Sequence, residues 1–410
     1  MLRIHTRLTL VGLALAVAAI AGTAFGASGG GSPAWAQGNT WIVNDDALPA
    51  AYGCATPAFT TRDLNVAIGD PRVVDGDTLI VCEGQYEAGQ VVLIGKSLTV
   101  RGRAEADRGA IVVRGPGDAV LVRARATVGH MKIAPTLIPA GEPFQQGVGI
   151  QFWLGADGST VDDVEVSGFR AGIKDAFIGT TGTSGTVIEA SRIHHNGTGV
   201  SLIAGGSDNV IRGNWIQDNT AFGIELNGED ATLVDGNVLS GNALGQVRIA
   251  GQTSVQLFRN EIGEPNGVKL ESVPADSQVV IGGSSPNANA FVGSPAAGAV
   301  FLSLTCDSAA TVDAIYNYWS GLASRAAIQS FILDQEGAAD CPGAVLFEPW
   351  TAEPPPLSGA GAVPAAGAHG PASRSWPWRP LVAASAGLAL AALLLGWRWR
   401  PIVQRDSAAK

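Results

Sequence analysis

Two consecutive histidines, His194-His195, are the side chains here best suited to proton transfer or metal ligation. In an alternating strand or turn one of them must face outward. No third ligand accompanies them in the pattern, so they are expected as solvated turn residues. Two acidic groups, Asp162-Asp163-Glu165 and the set Glu225, Glu229, Asp230 and Asp235, could attract calcium. Neither has the Asp-x-Asp-x-Asp-Gly frame of a dedicated loop, and turn acids without it are usually plain surface. No metal site is therefore expected, and calcium is the one cofactor these acids leave open. Asn196-Gly197-Thr198 is a sequon by pattern but reads more simply as a turn.

The elements that would position these residues come from a repeat. The apolar leaders 193, 216, 238 and 262 recur at a nearly constant step, and so do Asn196, Asn219, Asn242 and Asn266, with a second column at Asn214, Asn237 and Asn260. Each unit holds three short alternating runs separated by Asn/Gly turns, as in Val210-Ile211, Trp215-Ile216 and Ile224-Glu225-Leu226. That is strand and turn chemistry. One such unit cannot bury its own apolar side, so units must stack, and three strands per period of this size make one coil of a parallel β-helix. Asparagine tolerates a left-handed turn, and stacked amides bond from coil to coil. Asn196, Asn214, Asn219, Asn237, Asn242 and Asn260 are thus expected as a structural ladder. Weaker repeats extend the pattern to nine or ten coils over 37–351, with an inserted loop near 134–146; at a strand spacing of about 4.8 Å this is on the order of 45 Å of stacked strands. A short helix over Thr61–Ile68, capped by Thr61 and burying Leu64, Ala67 and Ile68, should cover the first coil, and a helix at 325–333 should help close the other end.

The 410 residues include 54 glycines but carry no Gly-X-Y period, which excludes collagen, and only five histidines, which excludes a His-rich metal protein. Residues 1–36 have the charged, apolar and small-residue layout of a secretory signal, with cleavage expected after Ala36. Residues 352–376 form a Pro/Ala/Gly-rich tether. An uncharged apolar segment flanked by tryptophans follows in 377–400, and the tail 401–410 is basic. This predicts a single-pass membrane helix with the β-helix outside, or a sorting tail that is cut on export. Residues 37–375 hold 19 Lys and Arg against 35 Asp and Glu, a net charge of −16, which excludes nucleic acid as a partner. The four cysteines, Cys54, Cys82, Cys306 and Cys341, all fall in this exported region and allow three pairings. Their separation into two ends favours Cys54 with Cys82 and Cys306 with Cys341.

Gly76-Asp77-Thr78-Leu79-Ile80-Val81-Cys82-Glu83-Gly84, followed by Lys96-Ser97-Leu98-Thr99-Val100-Arg101-Gly102, resembles the usual first coils of the right-handed parallel β-helix, or pectin-lyase-like, superfamily. Asn317-Tyr318-Trp319-Ser320 is similar to the closing Asn-Trp-Trp-Gly motif of its bacterial surface branch, which includes the periplasmic β-helix protein of nitrous-oxide-reductase maturation. The resemblance implies an all-β fold and a binding groove along one sheet. Aligning the Gly-apolar-x-apolar strands puts Gln151, Lys174, Ser201, Glu225, Arg248 and Lys269 at successive outward positions, of which Lys174, Glu225, Arg248 and Lys269 are the candidate binding residues. The column offers a single carboxylate, short of the pair that glycoside hydrolysis needs, and no catalytic residue is assigned. The expectation is an exported, membrane-anchored scaffold presenting a face to carbohydrate or cell-surface partners. The alternative is a polysaccharide lyase, hydrolase or epimerase of the pectin-lyase-like type.

Overall fold

The structure is a computed structural model that describes residues 38–46, 54, 56–87, 89–104, 106–175, 182–264, 266–293, 299–335 and 341–356. The chain divides into two units, Met1–Val363 and Pro364–Lys410, and every described residue belongs to the first. The signal segment, most of the tether, the membrane or sorting segment and the basic tail lie outside the described residues.

Short strands with alternating burial form three sheets of thirteen, ten and ten strands, in which each strand pairs in parallel with the strand one coil away. The chain passes from first to second to third sheet and back, so the expected parallel β-helix of about ten coils is what forms. Inward positions stack like on like. Val161, Ile188, Ile211 and Val234 are in register in the first sheet. Val166, Ile193, Ile216, Leu239 and Ile262 align in the second, and Ile173, Val200, Ile224, Val247 and Val268 in the third. All but Val268 are fully buried, each side chain contributing about 1.5 to 3 kcal/mol of transfer free energy. The second-sheet register corrects one leader. Val238 pairs with the outward Trp215, and it is Leu239 that continues the inward row. A one-residue slip reverses every face of a strand, and the conserved distance to the asparagine, three residues on from 193, 216 and 239, was the signal for the right choice.

The asparagines form two ladders at two corners. Asn196 donates its backbone N–H to Asn219 Oδ1 at 2.9 Å, and Asn219 donates likewise to Asn242 at 3.1 Å. At the other corner the same bond links Asn214, Asn237, Asn260, Asn289 and Asn317 at 2.9 to 3.0 Å. The left-handed residue is the one before the asparagine, not the asparagine itself: His195, Asp218, Gly213, Gly236 and Arg259 have φ of 53°, 54°, 62°, 63° and 54°. Asn266 is not in the ladder. Its corner is shorter, so it opens the third-sheet strand Asn266–Glu271, and Gln246 ends the ladder by accepting from Asn242 Nδ2 at 2.6 Å and donating to the Glu264 carbonyl at 2.8 Å. The sequon asparagine, Asn196, is fully buried and committed to this ladder.

The ends are closed as the edge strands require. The N-terminal helix spans Leu64–Gly69 and buries Leu64, Ala67 and Ile68. Its N-cap is Asp63 rather than Thr61, because Asp63 accepts from Asn65 N–H at 2.9 Å while Thr61 Oγ1 accepts from Asp63 N–H. The second helix is Arg325–Gln329, capped by Ser324. It stops short of 333 because Ile332 and Leu333 pair with Leu302 and Ser303 in the third sheet. There the aliphatic core becomes aromatic, with Trp319 stacked on Phe291 at a centroid distance of 4.4 Å, which explains the Trp of the closing motif. Disulfides join Cys54 to Cys82 and Cys306 to Cys341.

Candidate functional site

In the third sheet the residue between the two inward positions of each strand lies on the outer side, although Ser201 is buried there beneath Glu225. Register runs Leu93, Leu121, Gln151, Lys174, Ser201, Glu225, Arg248, Lys269, Ser303, Leu333. The column read from the sequence is therefore one continuous row, bounded by leucines at both ends. Arg248 sits at its electrostatic centre, bonded to Glu225 Oε1 at 2.7 Å and Glu271 Oε2 at 2.6 Å, with its guanidinium 5.9 Å from the Phe222 ring centroid. Lys269 bonds Glu271 at 2.5 Å, and Ser201 Oγ donates to Glu225 Oε2 at 3.2 Å. Hydrogen bonding from Lys269 and then Arg248 lowers the Glu271 pKa. Lys174 has no ion-pair partner among the described residues. Glu271 and Phe222 escaped sequence reasoning. Glu271 is two residues beyond Lys269 and so on the same strand face, which was the signal available. Each partly exposed pair contributes about 0 to 1 kcal/mol, so these charges do little for the fold. What they do is hold hydrogen-bonding groups in fixed positions on a flat face.

The acidic groups do not converge. Asp162 faces out of the first sheet, Asp163 holds the corner, and Glu165 faces out of the second sheet, because a left-handed residue at 163 (φ 52°) turns the chain between them. Asp163 bonds Arg108 and the His130 Nδ1, both at 2.5 Å, while His130 Nε2 lies 2.7 Å from the Ala106 carbonyl. Two acceptors on two ring nitrogens call for the imidazolium, and the Asp163 hydrogen bond raises the His130 pKa. In the second set Glu225 belongs to the third-sheet row, Asp235 pairs with Arg259, and Glu229 is fully buried. Glu229 accepts from Gly206 N–H at 3.0 Å and Asn209 Nδ2 at 2.8 Å, and burial raises its pKa. It is a structural brace. His194 lies in register with Ser167 and Gln217 on the second sheet, and the pull of His194 and then Lys132 lowers the Glu165 pKa to about 2.

Asp162 titrates unusually. Burial, then the nearby Glu189 and Asp163, raises its pKa from 3.8 to about 6. Glu189 is its register partner and is held by Arg212 at 2.7 Å. An acid with a raised folded pKa contributes most below its unfolded value and loses that contribution as pH rises through the folded one, here between about 4 and 6. Asp162→Asn should therefore match the parent at pH 4 and exceed it at pH 7.5 by about 2 kcal/mol after allowance for solvent screening. Urea denaturation at the two pH values checks this, and a pH-independent difference would refute it.

Three parallel sheets wound into one stack of coils define a parallel β-helix. A family model described as the right handed beta helix region matches residues 143–262, the coils that carry the Asn196–Asn242 ladder, the first part of the Asn214 ladder and most of the charged row. The solved structures with similar coils include the Dettilon tailspike protein (16% identity, 67% of this chain and 62% of that one, TM-score 0.40). Pectate lyase Pel9A (13%, 77% and 78%, 0.37) and pectin methylesterase PemA from Erwinia chrysanthemi (10%, 77% and 98%, 0.38) are similar in the same way. The chain thus spans less than two thirds of the tailspike's length. No curated protein matches the sequence.

Proposed function

We propose that the chain is an exported, membrane-anchored β-helix scaffold whose third sheet presents Lys174, Glu225, Arg248 and Lys269 to a carbohydrate chain or a cell-surface partner. The observation that carries this reading is the register itself. It sets charged side chains at the strand spacing, about 4.8 Å, along one sheet face, so a linear polymer laid on it meets the donors Lys174, Arg248 and Lys269 and the acceptor Glu225 in the order of the coils. Arg248 over Phe222 adds a surface with a polar rim and an apolar floor, the mix that orients ligands. Export and anchoring are inferred from the signal-like and tail segments.

The enzymatic alternative, a polysaccharide lyase, hydrolase or epimerase, has one observation in its favour. Asp162 and Glu189 are register partners, the first pushed toward its protonated form and the second held by Arg212, a pairing that separates acid from base. One experiment addresses both readings. The purified full-length chain is applied to immobilised plant, algal and bacterial polysaccharides, and bound protein and new reducing ends or unsaturated products are read together. Retention without product, reduced about tenfold or more in Lys174→Ala/Arg248→Ala, is expected, since losing hydrogen bonds to a charged donor costs about 1.5 to 3 kcal/mol. Product formation that Asp162→Asn abolishes would replace the scaffold reading with the enzyme. Equal retention of variant and parent would remove the third sheet as the face.

A further inference from the structure

We propose that the first half of the third-sheet face, with Arg123, Gln151, Trp153 and Lys174, is a subsite for a negatively charged group carried by a sugar, a carboxylate or a sulfate. The proposal rests on the third-sheet reading above and adds the ligand class. Alternation puts Trp153 on the same face as Gln151, two residues before it. The Trp153 N–H continues the ladder by donating to the Val122 carbonyl at 2.9 Å, which sets Arg123 beside it one coil back. Lys174 is the register partner of Gln151 one coil on. The two cations thus flank one coil, two strand spacings or about 10 Å apart along the stack. Between them lie the Gln151 amide and the half-buried Trp153 ring.

Uncompensated positive charge on this face is confined to that end. Arg248 and Lys269 are neutralised by Glu225 and Glu271, whereas neither Arg123 nor Lys174 bonds a carboxylate among the described residues. The Arg123 side chain is exposed, and its guanidinium lies 5.4 Å from the Trp153 ring centroid. A ring holds an arginine in place without using its N–H donors, which stay available for two oxygens of one anion. Asp175 follows Lys174 in sequence but is buried, and its oxygens accept from the Ile203 and Ala204 N–H at 2.9 and 3.0 Å. The Gln151 amide supplies donors and an acceptor for sugar hydroxyls, and Trp153 supplies an apolar surface with one polar edge. A neutral chain laid here would leave both cations to water, while an anionic one gains charge-assisted bonds. The acidity of the exported region opposes a polyanion mainly at long range, since about 0.15 M salt screens charges more than about 8 Å apart.

The test is biosensor binding of the full-length chain, at physiological salt, to dextran, carboxymethyl dextran and dextran sulfate, three surfaces with one backbone. At least one anionic surface should bind about tenfold or more above dextran, and which one does so separates carboxylate from sulfate. Arg123→Ala and Lys174→Ala should each lower that binding about tenfold, with circular dichroism confirming the fold. Arg325→Ala, which removes one charge from the closing helix, should leave it unchanged. Dextran binding equal to both anionic surfaces, or Arg123→Ala equal to the parent, overturns the subsite. An equal loss in Arg325→Ala overturns it too, by reducing the effect to bulk charge. If neither anionic dextran binds while the polysaccharide panel still retains the chain, the subsite alone falls; no retention anywhere removes the third-sheet reading beneath it.

Discussion

Asn237→Ala should lower the unfolding free energy by about 3 to 5 kcal/mol, the range for breaking a buried, fully bonded polar network. The Asn237 side chain is almost wholly buried. Its Oδ1 accepts from the Asn214 backbone N–H and Nδ2, both at 3.0 Å, and its Nδ2 donates to the Ile211 carbonyl at 2.8 Å and to Asn260 Oδ1 at 2.9 Å. Truncation strands the Asn214 donors and the Ile211 carbonyl in a buried corner. Asn237→Asp should cost as much, because it loses both donated bonds and faces the carbonyl of Ile211 with a carboxylate. Asn266→Ala, outside the ladder, should stay within about 0.5 kcal/mol. Chemical denaturation of the three variants decides it. Equal effects at 237 and 266 would mean that the ladders follow the coils rather than hold them.

Removing the Cys54–Cys82 bridge by double alanine substitution should cost about 3 to 4 kcal/mol, the loop-closure value for residues 28 apart in sequence. Cys82 directly follows the first-sheet strand Thr78–Val81, and both cysteines are buried. A solenoid's coils contact only their neighbours, so the loss should be local. Hydrogen exchange should quicken across Thr40–Asn44 and Thr78–Val81 and stay unchanged across Val238–Ser240. A uniform rise in exchange would show that the coils unfold as one unit, and no rise would show that the helix Leu64–Gly69 caps the end without the bridge.

The fold was legible because a stacked repeat writes its contacts into one dimension: residues one coil apart in sequence are neighbours in space. That is why the outward row from Gln151 to Lys269 could be read by alignment alone, and why both disulfide pairs followed from their positions at the two ends. Reading failed where a coil departs from the common length. Val238 lies one residue out of register with the other leaders, Asn266 keeps the asparagine step yet opens a strand at a shortened corner, and the cap is Asp63 rather than the expected Thr61 because backbone geometry chooses it.

What the sequence determined by itself was the alternation and the period, hence the parallel β-helix, its core rows and the candidate row on the third sheet. Only the tertiary structure decided what each corner does with its side chains. A left-handed residue reverses a ring or carboxylate by a single pair of backbone angles that no residue type at 163 or 195 announces. That turn scatters Asp162, Asp163 and Glu165 to three sides and brings His194 and His195 together. Direction at a corner is a property of φ and of the coils packed on either side, and so it emerges only when the coils are stacked.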